Sequence, residues 1–227
     1  MHTAHFKRAR SEEQREARRQ DILRVAADMV ARMPVADLSL NELSRRVGLA
    51  KSNVLRYFES REAVLLELLD LAWRDWLARV GTALRDAVDP AAPIAARYPE
   101  IAATMTASLV DDRLFCELLS VSAAVLERNV STEVARRYKL NVIANNDALG
   151  ELVHRYLPEI SAQGATYVAG GTLVSIAGLW PLTQPCEALL KVYEDPAMAA
   201  LRLDFATALQ EMLSTLLAGS LTRWPVD

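Results

Sequence analysis

The sequence predicts an all-α protein of about nine to ten helices. Three observations point there. Apolar residues recur at the three- and four-residue spacing of a helix face along almost all of the 227 residues. No apolar–polar alternation lasts long enough to make a strand. The 8 glycines are sparse, and the 9 prolines fall mostly between the periodic segments.

The elements follow in order. A first helix is expected from Glu12 to Arg32, opened by Ser11 with Gln14, carrying the stripe Val25, Ala26, Met29, Val30 and Met33, and closed before Pro34. Ser39 opens a short second helix, with Glu42 at its third position and Leu40, Leu43 and Val47 inward. Gly48 supplies the left-handed turn. A third helix covers Lys51 to Tyr57, and Ser60 caps a long fourth with Leu65, Leu68, Leu69, Ala72 and Trp76 on one side. Pro90, Pro93 and Pro99 break a connector. Helical segments are then expected at 100–110, 112–128, 132–157, 162–180 and 196–221, the last started by Asp195-Pro196.

Charge divides the chain. Residues 1–61 hold 13 Lys/Arg and 8 Asp/Glu, a balance of +5, so the remaining 13 and 21 give -8 and the whole chain -3. A basic N-terminal module on an acidic body suits one part approaching a polyanion while the rest does not. No signal-type stretch follows the basic start, and no apolar run reaches the roughly 18 residues of a membrane span, so a cytoplasmic protein is expected. Cys116 and Cys186 sit among apolar neighbours and belong to no CxxC or Cys/His cluster, so both are expected as buried free thiols and no metal or cofactor is expected. No Glu-x-x-His spacing or nucleophile–base pair stands out, which argues against an enzyme. His154, beside Asp147 and Glu151, reads as a solvated surface histidine.

Two short helices joined by a glycine turn, the second polar and basic outside, are the elements of a helix-turn-helix over 39–58. Leu43, Val47, Leu49, Val54 and Phe58 are its expected interior. Outside, Asn53 suits adenine and Arg56 guanine, Ser52 is expected to read bases with them, and Lys51 and Tyr57 are better fitted to phosphates. Ser39 and Ser60 stand at helix N-termini, whose free N–H groups can receive phosphate oxygens, and Arg61 follows them. The basic residues Lys7, Arg8, Arg10, Arg15, Arg18 and Arg19 either follow the DNA backbone or simply solubilise an arm at 1–15. On spacing alone, a solvated polar helix in an ordinary bundle remains the competing reading.

The run Leu43-Ser-Arg-Arg-Val-Gly-Leu-Ala-Lys-Ser-Asn-Val-Leu-Arg-Tyr-Phe-Glu-Ser-Arg-Glu-Ala-Val-Leu65 resembles the signature of the TetR/AcrR family of regulators. The segments Leu118–Ser131 and Gly178–Pro185 resemble ligand-domain sequences of some members. The chain departs from the usual pattern: Ala50 replaces a capping Ser, at a cost of about 1 kcal/mol; Ser52, Leu55 and Tyr57 stand where Gly, Tyr and His are frequent.

The resemblance implies a DNA-binding domain over 16–76 and a ligand-binding and dimerisation domain over 77–227. It implies a repressor that binds a palindromic operator as a homodimer, with half-sites roughly 34 Å apart, and is released by a small-molecule effector. The alternative is an adaptor or activator whose C-terminal domain binds a protein or a co-activating ligand.

Within that domain, Gly164, Gly170, Gly171, Ser175 and Gly178 suggest close helix approach. With Met198, Leu201, Phe205, Leu209, Met212 and Leu216, they suggest a four-helix interface between two copies through 162–180 and 196–221; a monomeric core is the other reading. The polar Asn145 falls on the apolar stripe of Tyr138, Val142, Leu149, Leu152 and Tyr156. With Met105, Phe115, Glu117 and Trp180 it forms the candidate ligand set, against the commoner alternative of a core satisfied by its own neighbours.

Overall fold

The computed structural model describes the backbone of residues 2–226 and the side chains of residues 12–226. The described residues form ten α-helices: α1 (His2–Val30), α2 (Leu40–Val47), α3 (Lys51–Val54), α4 (Arg61–Ala87), α5 (Ile94–Val110), α6 (Arg113–Ser122), α7 (Thr132–Tyr156), α8 (Ala162–Leu182), α9 (Glu187–Val192) and α10 (Phe205–Arg223). Short 3₁₀ turns occupy Val35–Asp37, Leu126–Asn129 and Ala199–Leu201. The fold is all-α, with no strand among the described residues.

Polar caps punctuate the chain. The side chains of Ser39, Ser60, Asp112, Ser131, Ser161 and Asp204 each accept a backbone N–H from the first turn of the following helix. α1 packs on α2 and α4, α2 packs on α3, and α4 continues unbroken past residues 76–77 into the second domain. There α8 packs against α6, α7 and α10, while α10 lies on α5 and α8. Trp76 stacks on Phe115 at 5.3 Å, and Trp73 tilts against the same ring at 6.0 Å, joining α4 to α6 in the centre of the core. Arg97, buried near the start of α5, donates to the carbonyls of Ala92 and Tyr156 and pairs with Glu159, which holds the Glu159 carboxyl below its usual range.

Several boundaries differ from expectation. α1 already begins at His2, so Ser11 lies within a continuous helix; the side chains of Lys7, Arg8, Arg10 and Ser11 lie outside the described residues. Pro99 sits inside α5 rather than in the connector. Burial of Ile101, Ala102, Met105 and Leu109 below it offsets a cost of about 3 kcal/mol for proline in a helix. Asp195 caps only a turn, donated to by the Ala197 N–H, and the last helix starts at Asp204 instead. α9 is an additional helix with no buried residue. Cys116 is buried, and that burial raises its thiol pKa, whereas Cys186 is exposed. Contrary to the expectation that no run reaches that length, α8 is by length and composition apolar enough to cross a membrane; it packs against three helices of the core. An added Cβ at Gly171 would stand 2.6 Å from Leu216 Cδ2, and one at Gly164 2.8 Å from Trp224 Cβ, so these two glycines serve close approach within the chain.

Candidate nucleic-acid interface

The module is built around one left-handed residue. Gly48 has φ 74° and ψ 30°; its N–H bonds to Arg45 O at 3.2 Å and the Leu49 N–H to Ser44 O at 3.0 Å, closing α2 with both bonds of a Schellman turn. The Ser39 hydroxyl accepts the Glu42 N–H at 3.1 Å. The other half of the expected capping box is diverted. The Glu42 carboxylate takes Arg45 and Arg46 instead, which lower its pKa to about 2.

Helix α3 begins at Ala50 without a side-chain cap, as its replacement of Ser implies. After Val54 the backbone tightens, with Arg56 N–H bonding to Asn53 O and Tyr57 N–H to Val54 O. The expected helix to Tyr57 is therefore one α-turn followed by a 3₁₀-like turn. Leu43, Val54 and Phe58 are buried, while Val47 and Leu49 are half-buried against them. This leaves Lys51, Ser52, Asn53 and Arg56 exposed on one outward face, and none of these four side chains has a partner among the described residues. Tyr57 is half-buried at the edge of that face.

Two arginines do structural work instead of reaching outward. Arg19 donates to Tyr57 O at 2.7 Å, pairs with Glu67 on α4, and lies 4.4 Å from the Phe58 ring centre. It fastens α1 and α4 to the end of the recognition turn. Arg61 donates to Leu38 O at 2.9 Å and to Glu62 at 3.1 Å, so its guanidinium is engaged within the module. The sequence carries no local mark for either role, because Arg19 and Tyr57 are far apart in the chain. Ser60 accepts the Ala63 N–H at 3.1 Å.

Two carboxylates join this module to the second domain. Glu59 accepts both the N–H and the hydroxyl of Ser131, the cap of α7, at 2.7 Å each, which lowers its pKa. Glu117 on α6 accepts the Trp180 indole N–H at 2.9 Å and, with its other oxygen, the Val35 N–H at 3.3 Å. Of the candidate ligand residues, Met105 and Phe115 are fully buried, and Asn145 donates to Asp70 at 2.9 Å. Glu117 and Trp180 are the two that meet each other. Two buried polar groups, Trp73 Nε1 and Thr106 Oγ1, have no partner among the described residues. His154 is half-buried and donates through Nδ1 to Ile160 O at 2.9 Å.

Two family profiles match the chain. "Bacterial regulatory proteins, tetR family" covers residues 22–68, and "Tetracyclin repressor-like, C-terminal domain" covers residues 70–224. Among solved structures, a putative TetR-family regulator from Mesorhizobium loti superimposes with TM-score 0.56 at 14% identity, covering 93% of this chain and 98% of that one. The fatty acid degradation regulator FadR from Bacillus halodurans gives TM-score 0.55 at 14% identity, covering 88% and 98%. FadR from Bacillus subtilis, solved in complex with stearoyl-CoA, gives 0.53 at 12% identity over the same shares. No curated protein matches the chain. At these identities the neighbours show the fold, while the two profiles, which together span most of the sequence, show the family: this chain belongs to the TetR family of transcriptional regulators.

Proposed function

We propose that the protein is a repressor that binds a palindromic operator as a homodimer and is released by a small-molecule effector. The observation that carries the reading is the row Lys51, Ser52, Asn53 and Arg56, exposed and without partners on a module clamped to a second domain. Ser52, Asn53 and Arg56 read base edges; Lys51, Tyr57 and the N-termini capped by Ser39 and Ser60 hold phosphates. Arg61 acts one step back, holding Leu38 in place.

The dimer face lies along α8 and α10. A groove of about 490 Å³ runs between them, and Val174 (74% exposed) and Met212 (46% exposed) stand on it. Two copies of such a face form an isologous four-helix contact. Effector sensing falls to the core around Phe115, Met105, Asn145, Glu117 and Trp180. The unpartnered Trp73 and Thr106 groups on α4 and α5 supply further polar anchors there.

Titration of the palindrome upstream of the gene at two salt concentrations tests the reading. Affinity falls steeply with salt when phosphates are contacted. Arg56→Ala is expected to reduce specific binding by about 1–3 kcal/mol while nonspecific binding stays nearly unchanged. Equal loss of both sinks the assignment of Arg56 to a base.

A further inference from the structure

The end of α8 and the start of α10 carry between them, under the α8–α9 turn, a cleft of about 620 Å³. That size matches small-molecule sites. Leu190, Leu203 and Phe205 form an apolar wall, and Gln184, Arg202 and Asp204 supply the polar groups. The charges in this cleft are not equivalent. Asp204 Oδ2 is already held by the Thr207 N–H at 2.9 Å and its hydroxyl at 2.8 Å, as the cap of α10. The Arg202 guanidinium has no hydrogen-bond or ion-pair partner among the described residues. An arginine fork beside exposed leucines recognises a ligand that is anionic at one end and apolar at the other.

What lies behind the wall gives occupancy a consequence. Phe205 meets the Trp180 ring edge-on, 5.1 Å between centres. The Trp180 indole N–H bonds to Glu117, and the other Glu117 oxygen holds the Val35 N–H in the turn before α2. One carboxylate thus spans α6, α8 and the helix-turn-helix module. A tilt of Trp180 turns that carboxylate and strips a buried backbone N–H of its partner, which is costly.

We propose that this cleft is the outer mouth of the effector site, that it takes an amphipathic anion with its charge on Arg202 and its apolar part on Phe205, and that occupancy passes through Trp180 and Glu117 to the helix-turn-helix. The inference rests on the reading of the protein as an effector-released DNA binder.

The test uses the full chain and two fluorescent probes that differ by one sulfonate, 8-anilinonaphthalene-1-sulfonate and the neutral N-phenyl-1-naphthylamine. Arg202→Gln is expected to weaken the sulfonate probe about tenfold and leave the neutral probe unchanged, since a charge-assisted bond is lost. Saturating sulfonate probe is expected to weaken operator binding by the wild-type chain. In Glu117→Gln, and in Trp180→Phe should the first variant fold poorly, the effect on operator binding is expected to be lost when compared with wild type at equal probe occupancy, read from each variant's own titration. Absence of sulfonate-probe binding, or equal affinity in Arg202→Gln, overturns the site; unchanged operator affinity with the probe bound overturns the relay. If the chain alone fails to bind the operator, the repressor reading fails, and the probe titration still decides the cleft.

Discussion

Replacing Arg19 by alanine distinguishes a structural clamp from a DNA contact. Its guanidinium makes a charged hydrogen bond to Tyr57 O, an ion pair with Glu67, and a contact with the Phe58 ring at 4.4 Å. The charged hydrogen bond is worth about 1.5–3 kcal/mol and the ring contact about 1 kcal/mol. The pair, with side chains 20% and 23% exposed, adds at most about 1 kcal/mol after solvent screening. These terms share one side chain and do not add fully, so a loss of about 2–3 kcal/mol is expected. Urea unfolding followed by circular dichroism measures it, with an unchanged slope expected because the buried surface is nearly the same. Arg19→Lys keeps the charge without the planar fork and should recover only part of the loss. Operator binding by Arg19→Ala should show the wild-type salt dependence, since no phosphate contact disappears. Stability within about 0.5 kcal/mol of wild type, together with a salt slope lower by about 1, would refute the clamp and return Arg19 to the DNA surface.

Other expectations follow from single contacts. A Cβ at Gly48 meets nothing within 4 Å, so Gly48→Ala should cost only the left-handed backbone penalty of about 1 kcal/mol; Gly48→Asn should cost less in the same urea assay. Val174→Asp should leave the unfolding of the protomer intact while sedimentation shifts from dimer to monomer; an unshifted dimer places the interface elsewhere. Glu59 has its pKa lowered by the Ser131 N–H and hydroxyl, so its contact with α7 is fully made above the ordinary carboxylate range. As pH falls through the lowered value the contact is lost. The Ser131 amide shift should therefore titrate with a midpoint below that of a free glutamate, and a midpoint at the free value would remove Glu59 from the link between domains.

The sequence alone determined the helix-turn-helix and most of the long helices. Ser39, Gly48 and Ser60 act on their own neighbours: a hydroxyl meets an N–H three residues ahead, and a glycine takes the backbone conformation its own lack of Cβ permits. Periodicity placed Leu43, Val54 and Phe58 inside for the same local reason. What the chain does next depends on partners that spacing does not reveal. Arg19 and Arg61 are solvent-type cations by composition, yet both face inward because Tyr57 O, Glu67 and Leu38 O are brought to them by the packing of α1 on α4. Glu117 and Trp180, expected as ligand contacts, find each other 63 residues apart and leave an oxygen free for Val35. Asp195, followed by Pro196, is the start that local chemistry favours, yet the last helix is capped by Asp204. Only tertiary packing chose Asp204, because Phe205 after it has Trp180 to bury against, while the stretch between the two aspartates has no core to reach.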